Sequence, residues 1–259
     1  MACIGWPICG HQCQIKKMPL PTRQGFWNTV IRHPFGVLLL SLFLMLILAP
    51  STSLLKNYLP DFHGMVALAP LSLLVIGASM LTLWKRARHH AQHMFAGAVV
   101  IVVLMLGSVV THRALVPIQI VIQILFLGYV LGIVVRSVFK AKVITSDVLC
   151  GAVSVYLLVG VLAGLVFVLI ESFAPGSFRV SNWTTDAVAQ QASFIEDPGW
   201  LLYFSFVTLT TVGYGDVLPA SAVARSASVL VAVIGQVLLM VQIARLVGMH
   251  VAQGTDAKK

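Results

Sequence analysis

The sequence predicts an all-α membrane protein with six transmembrane helices, and two features of the chain support this prediction. First, 59% of the 259 residues are hydrophobic and 10% are charged, whereas soluble proteins average about 45–50% apolar and about 25% charged residues. Second, six apolar runs alternate with polar breaks, at residues 34–49, 65–84, 95–111, 115–135, 148–170 and 221–247; about 20 apolar residues cross a bilayer. A soluble globule, a disordered chain and, with four cysteines, a disulfide-stapled secreted domain are excluded.

The first four runs are closely connected. The first run is short unless it begins near Asn28, with Arg32 extending to the membrane interface. Pro70 and Pro117 lie near the starts of the second and fourth runs, where a missing backbone N–H is tolerated. The basic stretch 136–147 joins the fourth and fifth runs, and we expect it to form a linker helix along the membrane surface.

The positive charges predict the orientation of the chain. A net charge of +9 would suggest a nucleic acid partner in a soluble protein, but here the charges sort by membrane side. With a cytoplasmic N-terminus, four of the 17 Lys and Arg residues lie outside and thirteen inside, as the positive-inside rule requires. We therefore expect no nucleic acid partner, contact with membrane lipids, both termini in the cytoplasm, and a multi-pass position in a prokaryotic inner membrane. The four outside are Lys56, Arg113, Arg179 and Arg225.

The break between the fifth and sixth runs has two parts. Residues 171–197 are of mixed composition and predict an exposed external loop. Residues 198–210 form an apolar run that is too short to cross the membrane. Asp197 can cap the first amides of this run, and Pro198 suits a first helical turn. The pattern predicts a re-entrant half-membrane helix from Pro198 to about Thr210.

The motif TTVGYGD follows this half-helix at residues 210–216, and Thr208 completes the pattern TxTTVGYGD. On these residues the chain resembles the pore module of tetrameric potassium channels, in which backbone carbonyls of a TVGYG loop replace the water around the ion. The resemblance covers roughly residues 148–249. It implies that K+ is the permeant ion and that each of four identical chains in a homotetramer contributes one filter segment. The implied filter residues are Thr211, Val212, Gly213, Tyr214 and Gly215.

The two glycines of the motif suit this interpretation, because carbonyls that face one axis require positive φ angles. By resemblance, Val212 and Tyr214 pack backward against the half-helices, and the Thr211 hydroxyl adds a further ring of oxygens. Five of the eight acidic residues are expected in the external loop or at the filter mouth, where they would raise the local concentration of cations. These five are Glu171, Asp186, Glu196, Asp197 and Asp216.

The resemblance also assigns supporting and gating residues. Many voltage-gated relatives have a tryptophan where this chain has Tyr203, and its indole N–H bonds the aspartate after the filter; the Tyr203 hydroxyl can donate to Asp216 instead. The expected filter supports are Tyr203, Thr208, Thr210 and Asp216. The expected hinge of the inner helix is Gly235, and the gate region includes Met240, Ala244 and Gly248.

The first four runs occupy the place of a voltage sensor but lack its charges. The fourth run has a single arginine, Arg136, at its inner end, and no Asp or Glu lies between Asp61 and Asp147. A sensor moves several arginines through the field, each contributing about 2.3 kcal/mol per 100 mV. We therefore expect a channel that is not steeply voltage-gated. The resulting domains are a cytoplasmic tail (1–27), a four-helix domain resembling a degenerate voltage sensor (28–139), a pore domain (140–249) and a short cytoplasmic tail (250–259).

Other polar and small-residue clusters leave alternatives open. Near the N-terminus, Cys3, Cys9, His11 and Cys13 have a spacing that fits zinc, palmitoylation, or a disordered tail with reduced thiols. The histidines at 89, 90 and 93 suit either an internal pH sensor or a lipid-facing basic patch. The glycine pairs 128/132 and 160/164, with Gln119 and Gln123, favour packing between helices over a ligand site.

Three other functions compete with a self-sufficient channel. One is a modulatory or partner-dependent channel subunit, against which the complete motif argues. Another is an intramembrane aspartyl protease, because GYGD at 213–216 fits the GxGD pattern, but no second acidic residue lies in the middle of a span. A potassium-uptake transporter would need four filter segments in one chain. We therefore expect no enzyme activity, no catalytic residues and no cofactor.

Overall fold

The computed structural model describes residues 34–48, 77, 99, 116–141, 143, 145–181 and 198–256. Within these ranges the protein is almost entirely helical, with five helices and two short strands. In chain order they are α1 (Pro34–Leu48), α2 (Val116–Lys140), α3 (Ser146–Phe173), β1 (Phe178–Val180), α4 (Gly199–Leu209), β2 (Val217–Pro219) and α5 (Ala222–Asp256).

Three of these helices are long and apolar enough to cross a membrane: Pro117–Lys140, Ser146–Phe173 and Ala222–Val251. They coincide with the fourth, fifth and sixth predicted spans, and they make this a membrane protein. α1 and α4 are apolar but shorter. The second and third predicted spans lie outside the described residues, except for the helical Gly77 and Val99, so the count of six spans stays a prediction. The cysteine and histidine clusters of the N-terminal half also lie outside the described residues.

The expected linker helix between the fourth and fifth spans is not a separate element. Residues 136–140 instead form the last turns of α2, and α3 begins at Ser146. Thr145 has extended backbone angles and its hydroxyl accepts a hydrogen bond from the Val148 N–H at 3.3 Å. This is a helix N-cap, so the threonine starts α3 where a continuous linker helix was expected.

The C-terminal helix and the segments around the TVGYG motif also differ from expectation. α5 runs to Asp256, so most of the predicted C-terminal tail at 250–259 is helical. β1 and β2 form an antiparallel pair in the segment expected to be loop, with Arg179 opposite Leu218. The pair is extended by a hydrogen bond from the Ser181 N–H to the Asp216 carbonyl, at 2.7 Å. Strands of three residues are too short to show a sequence pattern.

One apolar cluster joins α1, α2 and α3. Phe35 and Leu38 of α1 are fully buried, together with Val130 and Val134 of α2 and Leu158 of α3. At one end of the cluster the Asp147 carboxylate accepts a hydrogen bond from the Phe35 N–H at 3.0 Å. Asp147 lies in the first turn of α3 and Phe35 in the first turn of α1, so these two helix starts are at the same end of the bundle.

A second apolar cluster joins α3, β1 and α4. Its centre is three phenylalanines, Phe167, Phe178 and Phe204, whose ring centroids are 5.3 to 5.6 Å apart. Phe178 comes from β1, so the strand pair is fixed to the helices by an aromatic contact. The cluster also contains Leu201 near the start of α4 and Val217 of β2, so it contacts the chain both before and after the TVGYG motif.

Candidate functional site

The short helix α4 lies directly against α3 because two glycines of α3 allow close approach. A Cβ atom added at Gly160 would lie 2.5 Å from the Phe206 ring, and one added at Gly164 would lie 3.0 Å from Leu202. The Ser205 hydroxyl donates a hydrogen bond to the Gly160 carbonyl at 2.8 Å. The predicted packing role of this glycine pair is therefore confirmed. α4 covers Gly199–Leu209, which agrees with the predicted half-helix; Asp197, the predicted cap, lies outside the described residues.

The last carbonyl of α4 is held from both sides. The Tyr156 hydroxyl of α3 donates to the Leu209 carbonyl at 3.1 Å. From the other side, Gly235 of α5 packs so closely that an added Cβ would collide with the same carbonyl oxygen. The structure thus gives Gly235 a packing role at the end of α4; its predicted role as a hinge stays a prediction.

The segment Thr211–Gly215, called here the TVGYG segment, follows the end of α4 without a break. Its first N–H groups donate back to α4: Thr211 to the Thr208 carbonyl at 3.1 Å and Val212 to the Val207 carbonyl at 3.0 Å. The Gly213 N–H also points to the Val207 carbonyl, at 3.4 Å. The carbonyls at the end of the helix, which have no partner within it, therefore bind the first three N–H groups of the segment.

Every second residue of the TVGYG segment has a positive φ angle. The values are 59° at Thr211, 59° at Gly213 and 78° at Gly215. The two glycines behave as predicted. Thr211 was not predicted to do so, because a β-branched residue rarely adopts this conformation. Alternation of this kind turns successive peptide units so that their carbonyls face one side.

The carbonyls of the segment are available to a ligand. Among the described residues none donates a hydrogen bond to the carbonyl oxygens of residues 211–214, and these residues are exposed in a single chain. The Thr211 hydroxyl donates to the Thr210 carbonyl at 2.7 Å and receives a long contact of 3.5 Å from the Gln236 amide. A row of uncommitted oxygens is the ligand type that hard metal cations prefer. No group of three His, Cys, Asp or Glu side chains forms a metal site elsewhere in the described ranges.

An aromatic and acidic cluster lies beside the end of the segment. The Tyr203 hydroxyl donates to the Asp216 carboxylate at 2.7 Å, and the other oxygen of Asp216 accepts from the Val217 N–H at 2.9 Å. The Tyr203 and Tyr214 rings are parallel, with centroids 6.4 Å apart. Burial, followed by the bond to Asp216, raises the pKa of Tyr203 to about 12. The phenol therefore keeps its proton at neutral pH and acts as the donor.

The acidic residue at the end of α3 has a different role from the one expected. Glu171 is buried, and its two oxygens accept hydrogen bonds from the Gly176 N–H at 2.7 Å and the Phe178 N–H at 3.0 Å. It lies in the last turn of α3 and not in the external loop, and its charge fixes the turn before β1. Of the other four acidic residues, only Asp216 is among the described residues.

The predicted gate residues lie far along α5 from the TVGYG segment. Met240, Ala244 and Gly248 are all exposed in the single chain, and an added Cβ at Gly248 would meet no described residue within 4 Å. Thr208 and Thr210, the remaining predicted supports, flank the end of α4, where both take part in the hydrogen bonds of the helix end. The structure therefore groups the filter and support residues but leaves the gate residues apart from them.

Along the chain, the two long apolar helices α3 and α5 flank a short helix and an exposed row of backbone carbonyls. Residues 155–251 match the model of a protein family described as Ion channel. This part of the chain is therefore similar to an ion channel domain, which supports passive ion conduction, and the match supports the potassium channel family. An ion channel family is not a class of enzymes. No curated protein matches the chain.

Proposed function

We propose that the protein is a potassium-selective channel that works as a homotetramer and is not steeply voltage-gated. The observation that carries this proposal is the TVGYG segment: its first three N–H groups are bound by α4, every second residue has a positive φ angle, and the carbonyls of residues 211–214 accept no hydrogen bond from the described residues. Four such segments around one axis would supply stacked rings of oxygen. These rings can replace the hydration shell that a potassium ion loses on entry.

The exposure of the single chain supports a tetramer. Val212 and Tyr214 are 52% and 67% exposed in one chain, although they belong to the segment that must be held most firmly. Many apolar side chains of α5 are also exposed in the single chain. In the proposed assembly, α4 and α5 of neighbouring copies cover these surfaces, so that Val212 and Tyr214 support the filter from behind.

The charge of α2 supports weak voltage dependence. In its 25 residues the only basic side chains are Arg136 and Lys140, both in the last two turns. A charge at the edge of the membrane field contributes little gating energy, because the energy scales with the fraction of the potential crossed. We further propose that both termini are cytoplasmic, that the protein lies in a prokaryotic inner membrane, and that it contacts membrane lipids.

The proposal is tested with the purified protein in liposomes that carry a potassium gradient. We expect K+ flux well above Na+ flux, block by Ba2+, and little change of conductance across a range of imposed voltages. A tetramer that forms without any flux would contradict a self-sufficient channel and favour a partner-dependent subunit. Equal Na+ and K+ fluxes would contradict selectivity.

A matched pair of glycine variants tests the part that the TVGYG segment plays. Gly215→Ala places a side chain at a φ of 78°, where the left-handed region costs about 1–2 kcal/mol for each residue, and it does so four times in the tetramer. We expect loss of selective K+ flux. Gly132→Ala is the control, because an added Cβ there meets no atom of the described residues within 4 Å, and we expect it to conduct like the wild type.

A further inference from the structure

The cytoplasmic-side half of α5, as proposed, carries an arginine, Arg245, that donates three hydrogen bonds to backbone carbonyls at the end of α2 and just beyond it. One terminal nitrogen of Arg245 donates to the Val138 carbonyl at 2.6 Å. The other donates to the Phe139 carbonyl at 2.8 Å and to the Ala141 carbonyl at 2.9 Å. The guanidinium carbon also lies 4.8 Å from the centre of the Phe139 ring.

Three hydrogen bonds join Arg245 to the end of α2, although α5 and α2 make few other contacts. The last carbonyls of a helix have no partner within it, and the C-terminal end carries a partial negative charge that a cation stabilises. Arginine supplies a fixed fork of donors and remains charged at any physiological pH. Arg136 and Lys140 also lie near this end of α2, yet they donate to no described residue. The capping cation thus comes from α5 and not from α2 itself.

The position of Arg245 gives the contact a functional meaning. It lies between Ala244 and Gly248, within the part of α5 where the gate is expected, and ten residues beyond Gly235. α2 packs on α1 and α3, so in the proposed tetramer it lies away from the pore axis. A bond from α5 to the end of α2 therefore restrains the gate part of α5 from moving toward the axis.

We propose that Arg245 is a positioning residue that holds the gate part of α5 against the end of α2 and so keeps the pore open. The proposal rests on the channel function proposed above and adds a connection between the first four spans and the gate. It assigns to α2 a role that needs no gating charge: any stimulus that displaces the end of α2 releases α5. Arg245 itself touches no permeating ion.

The first experiment measures single-channel currents of the full-length protein in lipid bilayers. We expect Arg245→Gln to lower the open probability at least five-fold while single-channel conductance and K+/Na+ selectivity stay unchanged. Arg245→Lys keeps the charge but cannot reach three carbonyls at once, so we expect it to restore part of the open probability. Arg136→Gln is the matched control, since it removes the same charge near the same helix end, and we expect it to behave like the wild type.

The outcomes separate this inference from the proposed function. If the wild type conducts K+ selectively and Arg245→Gln has an unchanged or higher open probability, the inference is overturned and the channel function stands. If Arg136→Gln lowers the open probability as strongly as Arg245→Gln, the effect is one of charge and the inference is likewise overturned. If the wild type passes no K+, the proposed function fails instead.

A second experiment measures the position of α5 without relying on current. A spin label is placed on Val247→Cys, an exposed site two residues beyond Arg245, in the full-length chain with its four native cysteines replaced. Distances between the labels of the four subunits are measured by pulsed electron paramagnetic resonance. We expect Arg245→Gln to shift these distances to shorter values and Arg136→Gln to leave them unchanged. An unchanged distance in Arg245→Gln overturns the inference even if the protein folds and assembles normally.

Discussion

The two helices on either side of α4 are alike in composition but opposite in environment. α3 and α5 have 28 and 35 residues, and both contain long apolar stretches. In the most apolar part of α3 half of the residues (50%) are buried within the single chain, whereas in α5 the share is 11%. Much of α3 is therefore packed within its own chain, whereas α5 is the surface that neighbouring copies would cover in the proposed tetramer.

This difference explains where sequence changes should act. Substitutions at Gly160 and Gly164 of α3 disturb contacts that exist within one chain, so we expect them to affect folding itself. Substitutions on α5 and in the TVGYG segment act mainly on the assembly and on conduction, since those residues have few partners in one chain. The predictions below separate the two kinds of effect, and they are arranged by decreasing size.

The largest effect is expected at Gly160 of α3. Leucine there forces the Phe206 ring, 2.5 Å from the position of an added Cβ, out of its site and separates α4 from α3. Overpacking of this kind costs about 1–3 kcal/mol or more, and the lost contact between Ser205 and the Gly160 carbonyl adds to it. We expect Gly160→Leu to yield little folded protein in a thermal unfolding assay in detergent. Gly132→Leu is the control, because an added Cβ at Gly132 meets nothing within 4 Å in the part of the chain that the structure describes, and it should unfold near the wild-type temperature.

A smaller effect is expected at Gly235 of α5, and it distinguishes a packing role from a hinge. Alanine at this position meets the Leu209 carbonyl, so we expect α5 to shift away from the end of α4 at a cost of about 1–3 kcal/mol in each subunit. The tetramer should then dissociate at a lower temperature in a heating series followed by gel filtration. A normal dissociation temperature combined with a reduced open probability would instead support the hinge that the sequence predicts.

At Tyr203 the expected effect is on the duration of conduction. Phenylalanine removes the donor to Asp216, and a hydrogen bond to a charged group contributes about 1.5–3 kcal/mol. We expect Tyr203→Phe to accelerate the loss of current during prolonged opening, measured in patches of liposomes. Tyr203→Trp restores an N–H donor and should slow the loss again. Unchanged currents in Tyr203→Phe would show that the bond does not stabilise the filter.

The sequence predicts the pore region well because its signals are local. The spans, the half-helix and the positive φ angles of Gly213 and Gly215 follow from apolar length and from glycine chemistry, both of which can be read within about 20 residues. The long-range contacts could not be predicted in this way. Arg245 appears in the sequence as one more inside charge, and nothing local indicates that it caps a helix more than 100 residues earlier.

At Thr211 and Glu171 the structure differs from the sequence prediction because hydrogen bonds with the backbone decide the local conformation. The positive φ of Thr211 contradicts the local preference of a β-branched residue and exists because α4 holds the N–H groups around it. The position of Glu171 just after the fifth apolar run predicts that it lies in the external loop. Its partners are instead backbone amides five and seven residues ahead. The sequence does contain a signal for such a turn, because the acidic residue is followed within a few residues by Pro175 and Gly176.

The smallest effect is expected at Glu171, at the end of the self-contained helix α3. Glutamine keeps one acceptor oxygen but turns an amide group toward the second N–H, so one of the bonds to Gly176 or Phe178 is lost. Leaving that N–H unpaired costs about 1–2 kcal/mol, which should lower the unfolding temperature slightly. Because the carboxylate is buried and faces the turn, we expect unchanged K+ conductance at low K+ concentration. A reduced conductance at low K+ concentration would show that Glu171 attracts cations. It would also place the mouth of the pore nearer to α3 than the single chain indicates.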